Sequence, residues 1–250
     1  METELLVRTV VGLAIMLALA LGLLASRRIG LGWQPFTAVL RAGLQLSIVA
    51  LLLRGVLEAP WTAVAFFALM LTTASLTSGG RLRELEGGWR AAVLGVVLGG
   101  VLSPAIVLAT GMVPLEPTQV VAIAGILIGS AMTGATLAGR QFAARAESQA
   151  GQIEAWWSLG ASNREAHDSI ARAAMRESLL PGIDQTRSTG MVTLPGAFVG
   201  ALFGGASPWE AGRFQLVVLV GILLTQTVTT LATTEMLSRA RHLPSTSAAR

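Results

Sequence analysis

Long apolar stretches alternate with short polar segments along almost the whole chain. Crossing the ~30 Å hydrocarbon core of a bilayer takes about 20 helical residues, and seven stretches approach that length. They lie at residues 5–25, 36–57, 60–77, 91–112, 118–138, 190–206 and 214–236. The pattern therefore predicts an all-α fold, a polytopic transmembrane helical bundle of about seven spans. We expect it to form a single transmembrane domain over residues 1–250.

The arginines between these spans predict an orientation. Fourteen of them fall on one side of the membrane, whereas Arg54 and Arg213 fall on the other. The fourteen are Arg27, Arg28, Arg81, Arg83, Arg90, Arg140, Arg145, Arg164, Arg172, Arg176, Arg187, Arg239, Arg241 and Arg250. Basic residues concentrate in the cytoplasm, which predicts an outside N-terminus and a cytoplasmic C-terminus in the inner (plasma) membrane. The small, polar tail at 244–250 is expected to be disordered.

The one long polar segment, about residues 139–189, predicts a helical elbow in the cytoplasm. Residues 140–159 have the periodicity of a helix. Ser162 and Glu165 fit a capping box that starts a second helix. We expect that second helix to end at Pro181, because proline cannot continue the hydrogen-bond pattern.

Two interpretations of the elbow follow from its residues. Gly160 supplies a stop between the two helices, which gives a compact turn. Such a hairpin could simply be solvated. Alternatively, the adjacent Trp156 and Trp157 form a docking surface, since tryptophan is enriched as a rigid anchor at interfaces.

Composition excludes several function classes. The chain is 53% hydrophobic and 13% charged, about half the charge of a soluble domain. All 18 basic residues are arginine, and cysteine is absent. Without lysine there is no Walker A loop, so this chain cannot hydrolyse ATP. The remote His167 and His242 form no histidine-rich zinc site. A net charge of +4 spread over a membrane chain indicates no nucleic-acid partner.

Polar residues inside the predicted spans are few. Arg41 and Gln45 lie one turn apart on one face of the second span. Arg41 could snorkel to the headgroups, but Gln45 cannot, and we favour a polar face turned toward the bundle interior.

In the last span Thr225, Thr229 and Thr233 form a stripe that predicts interhelical hydrogen bonds, with pore lining as the alternative.

Small residues four apart recur in the spans and predict close helix contacts. They are Gly95 and Gly99, then Gly125, Gly129, Ser130, Gly134 and Ala138, and then Gly196, Gly200 and Gly204.

Leu194-Pro195-Gly196 is a candidate gate, because a broken helix at membrane depth is tolerated only where it meets protein or water. Met132 is expected to be core filler rather than a metal ligand. Asp184 and Arg187 are expected to pair.

The elbow resembles the "EAA" coupling loop of ABC permeases, which inserts into a cleft of the ATPase subunit. The match consists of Glu154-Ala155, Gly160, Ile170 and Leu180-Pro181, with a Gly-to-Ile spacing about one residue longer than in the common importer version.

A resemblance to the Fet-type (FetB-like) permeases of ABC transporters extends over nearly the whole chain. The matching segments are Leu40-Arg41-Ala42-x2-Gln45-Leu46, Ile123-Ala124-Gly125-x3-Gly129-Ser130-Ala131-Met132, Ser158-Leu159-Gly160-Ala161-Ser162, Leu180-Pro181-x2-Asp184, Gly190-Met191-Val192-x-Leu194-Pro195-Gly196, Gly205-Ala206-Ser207-Pro208 and Phe214-Gln215. The chain departs from the family pattern where Ser130 replaces Asn, where Ala197-Phe198 replaces Met-Met, and where Arg187 replaces a common lysine.

The resemblance implies a permease subunit that exports a metal ion such as iron. It implies a separate cytoplasmic ABC ATPase partner, which holds ATP and Mg. It also implies that this chain binds no cofactor and forms a homodimer. The implied coupling residues are Glu154, Ala155, Trp156, Trp157, Leu159, Gly160 and Ser162. The candidate path or gate residues are Arg41, Gln45, Ser130, Met132, Leu194, Pro195 and Gly196, and the metal ligands are unknown.

Three alternatives remain open from the residues themselves. The threonine stripe allows an ATP-independent channel. A secondary transporter of a small solute is disfavoured, because Glu235 is the only acidic residue within a predicted span and carboxylate relays are expected in such proteins. A membrane enzyme is the weakest alternative, since no nucleophile–base or metal constellation is visible.

Overall fold

A computed structural model describes residues 2–58 and 61–240, and over these residues the protein is all-helical. The predicted tail at 244–250, together with Arg241 and His242, lies outside the described residues. The helices are α1 (Glu2–Ser26), α2 (Gln34–Glu58), α3 (Thr62–Arg81), α4 (Gly88–Ala109), α5 (Pro117–Ser148), α6 (Ala150–Ser158), α7 (Asn163–Ser188), α8 (Gly196–Phe203) and α9 (Pro208–Leu237).

The chain divides along its sequence into two compact units, residues 1–59 and residues 60–250. The first unit is the helix pair α1 and α2, in which none of the described side chains is buried. Both helices are long and apolar enough to cross a membrane. Their exposed leucines and valines are therefore suited to lipid or to other protein.

The second unit packs around α4, α5 and α9, which contact one another. Helix α3 lies against α4 and α5, α7 lies against α5 and α9, and α8 lies against α9. Thr233 near the end of α9 donates a hydrogen bond to the carbonyl of Ala91 near the start of α4, at 3.4 Å. Helices α4 and α9 are therefore antiparallel. We call this end of the unit, where α3, α5 and α9 end and α4 begins, the arginine-rich end.

Helices α4 and α9 meet along a seam of glycine and threonine. A side chain at Gly99 would collide with the Thr229 hydroxyl and come 2.7 Å from the Thr225 carbonyl oxygen. One turn away, a side chain at Gly95 would reach the Thr229 carbonyl oxygen at 2.8 Å and collide with Thr233. The predicted small-residue contact is confirmed here, because only glycine permits this approach.

Hydrogen bonding explains the threonine stripe only in part. Thr233 bonds across the seam to Ala91. The hydroxyls of Thr225 and Thr229 are buried and have no partner among the described residues. The stripe is therefore mainly a packing surface between α4 and α9.

Six of the seven predicted spans are confirmed by helices that are long and apolar enough to cross a membrane. Their bounds are Thr3–Ser26, Gln34–Leu52, Thr62–Arg81, Gly88–Ala109, Pro117–Ser148 and Pro208–Leu237. The prediction of a continuous sixth span at 190–206 is wrong. Only the eight residues of α8 are helical there, about 12 Å of rise, because Gly190 takes a φ of +93° and Pro195 caps the new helix.

The chain nevertheless has to return across the second unit at this point. Helix α5 ends at the arginine-rich end, whereas α9 starts at the opposite end. Helix α7 starts beside the end of α9 and brings Gly182 against the side chain of Gln226, well inside α9. The rest of the return is made by residues 189–195 and α8. We call this the broken crossing.

Two predicted boundaries in the elbow also need correction. Pro181 does not end α7, which continues to Ser188. Proline removes one donor, but the packing of α7 on α5 and α9 holds the helix together past it. The helix predicted over 140–159 is split: α5 runs on to Ser148, and α6 begins after a break at Gln149.

Candidate functional site

The elbow is built from the end of α5, the short α6 and the start of α7. Gly160 joins α6 to α7 with a φ of +85°, which favours glycine. The Ser162 amide and hydroxyl both donate to a carboxylate oxygen of Glu165, at 2.8 and 2.7 Å, and the Glu165 amide donates back to the hydroxyl at 3.4 Å. The predicted stop and the predicted capping box are both confirmed.

The cap also affects the ionisation of the Glu165 carboxyl group. The hydrogen bonds from Ser162, the side chain first and the backbone second, favour the charged carboxylate and lower the pKa of Glu165 below its ordinary value. The elbow turn is therefore fixed by an ionised glutamate at neutral pH.

Six of the seven predicted coupling residues share the exposed surface of this turn. We call it the elbow tip: Glu154, Ala155, Trp156, Leu159, Gly160 and Ser162. Two of its side chains are large and apolar, with Trp156 45% exposed and Leu159 81% exposed. Trp157 differs, because it is half-buried and packs inward.

A buried base holds the tip in place. Ile153 of α6 is fully buried in a cluster with Phe142 of α5 and Ile170 of α7. His167 is 1% exposed and lies between two rings, stacked on Phe142 at 5.7 Å and edge-on to Trp157 at 5.8 Å between ring centroids. Its Nδ1 is 2.8 Å from the Asn163 carbonyl oxygen.

His167 is the functional-region residue that sequence reasoning missed. The available signal was helical spacing, because His167 lies on the same face of α7 as Ile170 and Ala174. From the sequence, His167 is instead only one of two remote histidines that form no zinc site.

Ion pairs tie the elbow to the bundle. Arg145 of α5 pairs with Glu177 of α7, and Arg164 of α7 lies 3.1 Å from Glu235 of α9. These pairs join three helices around the base of the elbow. A force applied at the tip is thus carried into α5, α7 and α9, three of the helices that cross the membrane or lead into the broken crossing.

The broken crossing contains the candidate gate. Within residues 189–195 the Gly190 amide donates to the Thr193 carbonyl at 2.8 Å. Leu194 is 64% exposed, Pro195 is the N-cap of α8 and Gly196 is its first residue. Asp184 and Arg187 pair just before the break at 3.5 Å, as predicted.

A pocket of about 680 Å³ lies beside α8, at the end opposite the arginine-rich end. It is formed by α8, the connection from α4 to α5, and the first turns of α5 and α9. Its polar lining includes Glu116, Gln119, Glu210 and Arg213, and Ala197 and Gly200 of α8 form part of its wall. We call it the α8 pocket. The Cβ of a residue at Gly200 would meet nothing within 4 Å.

The other predicted path residues lie elsewhere. Met132 of α5 packs against the core cluster that includes Ile128 and Ala135. The hydroxyl of Ser130 is buried without a partner in the described part of the chain. Arg41 and Gln45 are exposed on α2 in the first unit. Neither Ser130 nor Met132 lines the α8 pocket.

No group of three or more His, Cys, Asp or Glu side chains placed to hold a metal ion is found among residues 2–58 and 61–240. A resident metal centre therefore has no donor set in this part of the chain.

Comparison with known proteins places the chain in a family. Residues 7–241 match the family described as "Uncharacterised protein family (UPF0014)". The chain belongs to this family. No solved structure matches it.

Several curated relatives cover most of the chain. UPF0014 membrane protein STAR2 of Oryza sativa subsp. japonica is 31% identical over 87% of this chain and 77% of its own length. UPF0014 membrane protein slr1647 of Synechocystis is 32% identical over 90% of this chain and 89% of its own length. The protein named "Probable iron export permease protein FetB" of Escherichia coli K12 is 26% identical over 88% and 86% respectively. The resemblance to FetB-like proteins is thus confirmed, and the chain is an integral membrane protein of UPF0014.

Proposed function

We propose that this protein is the membrane-spanning permease subunit of an ABC transporter, driven by a separate ATPase that docks on the elbow tip. The observation that carries the proposal is the elbow itself. It presents Trp156 and Leu159 outward on a short helix while its base is buried and ion-paired to three helices. A partner that binds the tip can therefore move the membrane helices.

The chemistry of the chain requires such a partner for ATP-driven work. It contains no lysine, so a Walker A loop is absent. ATP and Mg would be held by the partner, and this chain would bind no cofactor. The arginine-rich end, which carries the elbow, would face the cytoplasm, in keeping with the positive-inside rule.

The broken crossing and the α8 pocket are the proposed moving part of the path. Residues 189–195 interrupt the helix, and non-helical backbone at membrane depth is tolerated where it meets protein or water. Leu194, Pro195 and Gly196 would form the gate, and the α8 pocket would be its outer vestibule. Six described spans are few for a complete transporter, which supports a homodimer.

We propose a metal ion such as iron as the exported substrate, on the strength of the name of the Escherichia coli relative. The vestibule offers oxygen donors at Glu116, Gln119 and Glu210. Hard cations prefer oxygen ligands, and a site with few donors suits a substrate that has to leave.

Docking is tested by co-purification of the full-length chain with its candidate ABC ATPase. Trp156→Ala combined with Leu159→Ala should weaken binding by about 30-fold, since apolar anchors at interfaces contribute about 2 kcal/mol or more. Trp209→Ala is the matched control, because Trp209 is 83% exposed but lies at the start of α9. Equal binding by the elbow variant and the control would contradict the proposal.

The base of the elbow gives a second comparison. Trp157→Ala should lower the stability of the elbow because Trp157 packs on His167, whereas Trp156→Ala should leave it unchanged. Limited proteolysis within residues 149–162 measures this difference. If both variants are cleaved equally fast, the assignment of one tryptophan to the tip and the other to the base is wrong.

A further inference from the structure

A second pocket, of about 490 Å³, lies at the arginine-rich end between the α3–α4 turn and the end of α9. Its charged lining residues are Arg83, Glu86, Arg90 and Arg239. Trp89, Leu85 and Met236 supply apolar surface beside them. No residue of the elbow tip lines it.

The positive charge of this pocket is poorly compensated. In the ranges that the structure describes, Arg83 and Arg90 have no carboxylate oxygen within 4 Å and no hydrogen-bond acceptor. Arg239 contacts Glu235 at 3.4 Å, and Glu86 is engaged in an interaction of its own. The exposed arginines of this pocket are thus available to an anion.

The turn that carries these arginines is held firmly. Leu82 is 2% exposed and inserts into the core, where its side chain occupies the space beside Gly139. Gly87 takes a φ of +69° and caps α4. Arg83 and Arg90 consequently project from a fixed backbone, which lowers the ordering cost of binding.

The depth of the pocket identifies the kind of anion. It lies where α3 ends at Arg81, α4 begins at Gly88 and α9 ends at Leu237. These helices are long and apolar enough to cross a membrane, so we place the pocket at the level of the lipid headgroups. Trp89 is 47% exposed and its indole lies over Gly79 of α3. Tryptophan is enriched at this interfacial depth, and basic pockets between membrane helices bind anionic headgroups.

We propose that this pocket binds the phosphate group of an anionic phospholipid, held by Arg83 and Arg90 with Trp89 against the glycerol region. Arginine matches phosphate oxygens with two parallel N–H donors.

The test uses the full-length chain in neutral detergent and measures its melting temperature against added phosphatidylglycerol or phosphatidylcholine. Phosphatidylglycerol should raise the melting temperature and phosphatidylcholine should not. Arg83→Gln combined with Arg90→Gln should raise the half-saturating concentration of phosphatidylglycerol by about tenfold or more. The matched control removes two exposed arginines outside the pocket, Arg140→Gln with Arg176→Gln, and should respond like the unmodified chain.

Two results would overturn the proposal. One is an equal loss of the melting-temperature response to phosphatidylglycerol in the pocket variant and the control. That result would mean that the lipid binds by general attraction between its negative charge and the arginines. The other is an increase in melting temperature with inorganic phosphate that matches the increase with phosphatidylglycerol, which would mean a free-phosphate site. If the double variant does not fold, each single variant should show a partial loss, and a full response in both would reject the assignment.

Discussion

Two glycine pairs with the same spacing have opposite surroundings in this protein. Gly95 and Gly99 of α4 are pressed against the threonines of α9, so that a side chain at either would collide with them. Gly196 and Gly200 of α8 have nothing within 4 Å of an added Cβ. The first pair allows close contact between α4 and α9, and the second pair has open space around it. A four-residue glycine spacing alone therefore does not predict contact, because contact also requires a partner helix at the same depth.

The difference separates a densely packed part of the molecule from a loosely packed part. The seam joins two long helices over several turns. The broken crossing is made of an eight-residue helix and a non-helical segment in which Met191 is 97% exposed. Low packing density is typical of elements that rearrange.

Replacing the tight glycine should have the largest effect on stability. Gly99→Ala places a Cβ against the Thr229 hydroxyl and the Thr225 carbonyl, which should lower the free energy of unfolding by about 2 to 3 kcal/mol. Gly200→Ala is the control and should leave it unchanged or raise it by up to about 1 kcal/mol, since alanine favours helix. Equal melting temperatures for the two variants would remove the distinction between seam and broken crossing.

Filling the open space should act on transport and leave the fold intact. Gly200→Leu projects a side chain into the α8 pocket, and we expect the transport rate to fall by about tenfold, equivalent to ~1.4 kcal/mol. Gly212→Leu is the matched control, because Gly212 also has free space but does not line the pocket. Efflux measured for both variants at equal protein levels checks this, and equal rates would exclude the pocket from the path.

Within the seam, two threonines should behave differently. Thr233→Val removes a hydrogen bond to Ala91 and should cost about 0.5 to 1 kcal/mol. Thr229→Val removes a buried hydroxyl without a partner and should be neutral or stabilising. Thermal denaturation of the two variants in the same detergent measures the difference, and a larger loss for Thr229→Val would show that its hydroxyl has a role in the seam.

The smallest effect is the pH dependence of the elbow turn. The folded-state pKa of Glu165 is below its ordinary value of 4.5, so its contribution to the cap is present above that value and is lost as the pH falls through the folded pKa. Proteolysis at Gly160 should therefore accelerate in acid, and Glu165→Gln should abolish that dependence. The seam residues Gly95, Gly99, Thr225 and Thr229 do not titrate, so acid should not act on them.

Much of the fold could be predicted because it depends on local sequence. Hydrophobic run length located six spans to within a few residues at most ends. The turn chemistry of Gly160 and the Ser162–Glu165 box located the elbow. These signals lie within a few neighbouring residues and need no knowledge of the rest of the chain.

The failures share a different cause, which is tertiary context. Mean hydropathy over 190–206 does not register that Gly190 and Pro195 divide the stretch into a turn and a short helix. Helix α7 passes Pro181 because Gly182 packs on Gln226 far along the chain. His167 is held in position by ring contacts with Phe142 and Trp157, which lie on two other helices. The roles proposed for Arg41, Gln45, Ser130 and Met132 stay predictions, as do those of the gate residues.

The central claim is that ATP hydrolysis by a partner, transmitted through the elbow, moves a metal ion across the membrane. Its most direct test is iron movement into the lumen of proteoliposomes that contain this chain and its ATPase, with ATP supplied outside, compared with Leu159→Asp at the elbow tip. The account predicts movement that requires ATP and disappears in the variant while the fold is retained. Movement without ATP, or movement driven by a proton or sodium gradient in both proteins, would contradict it.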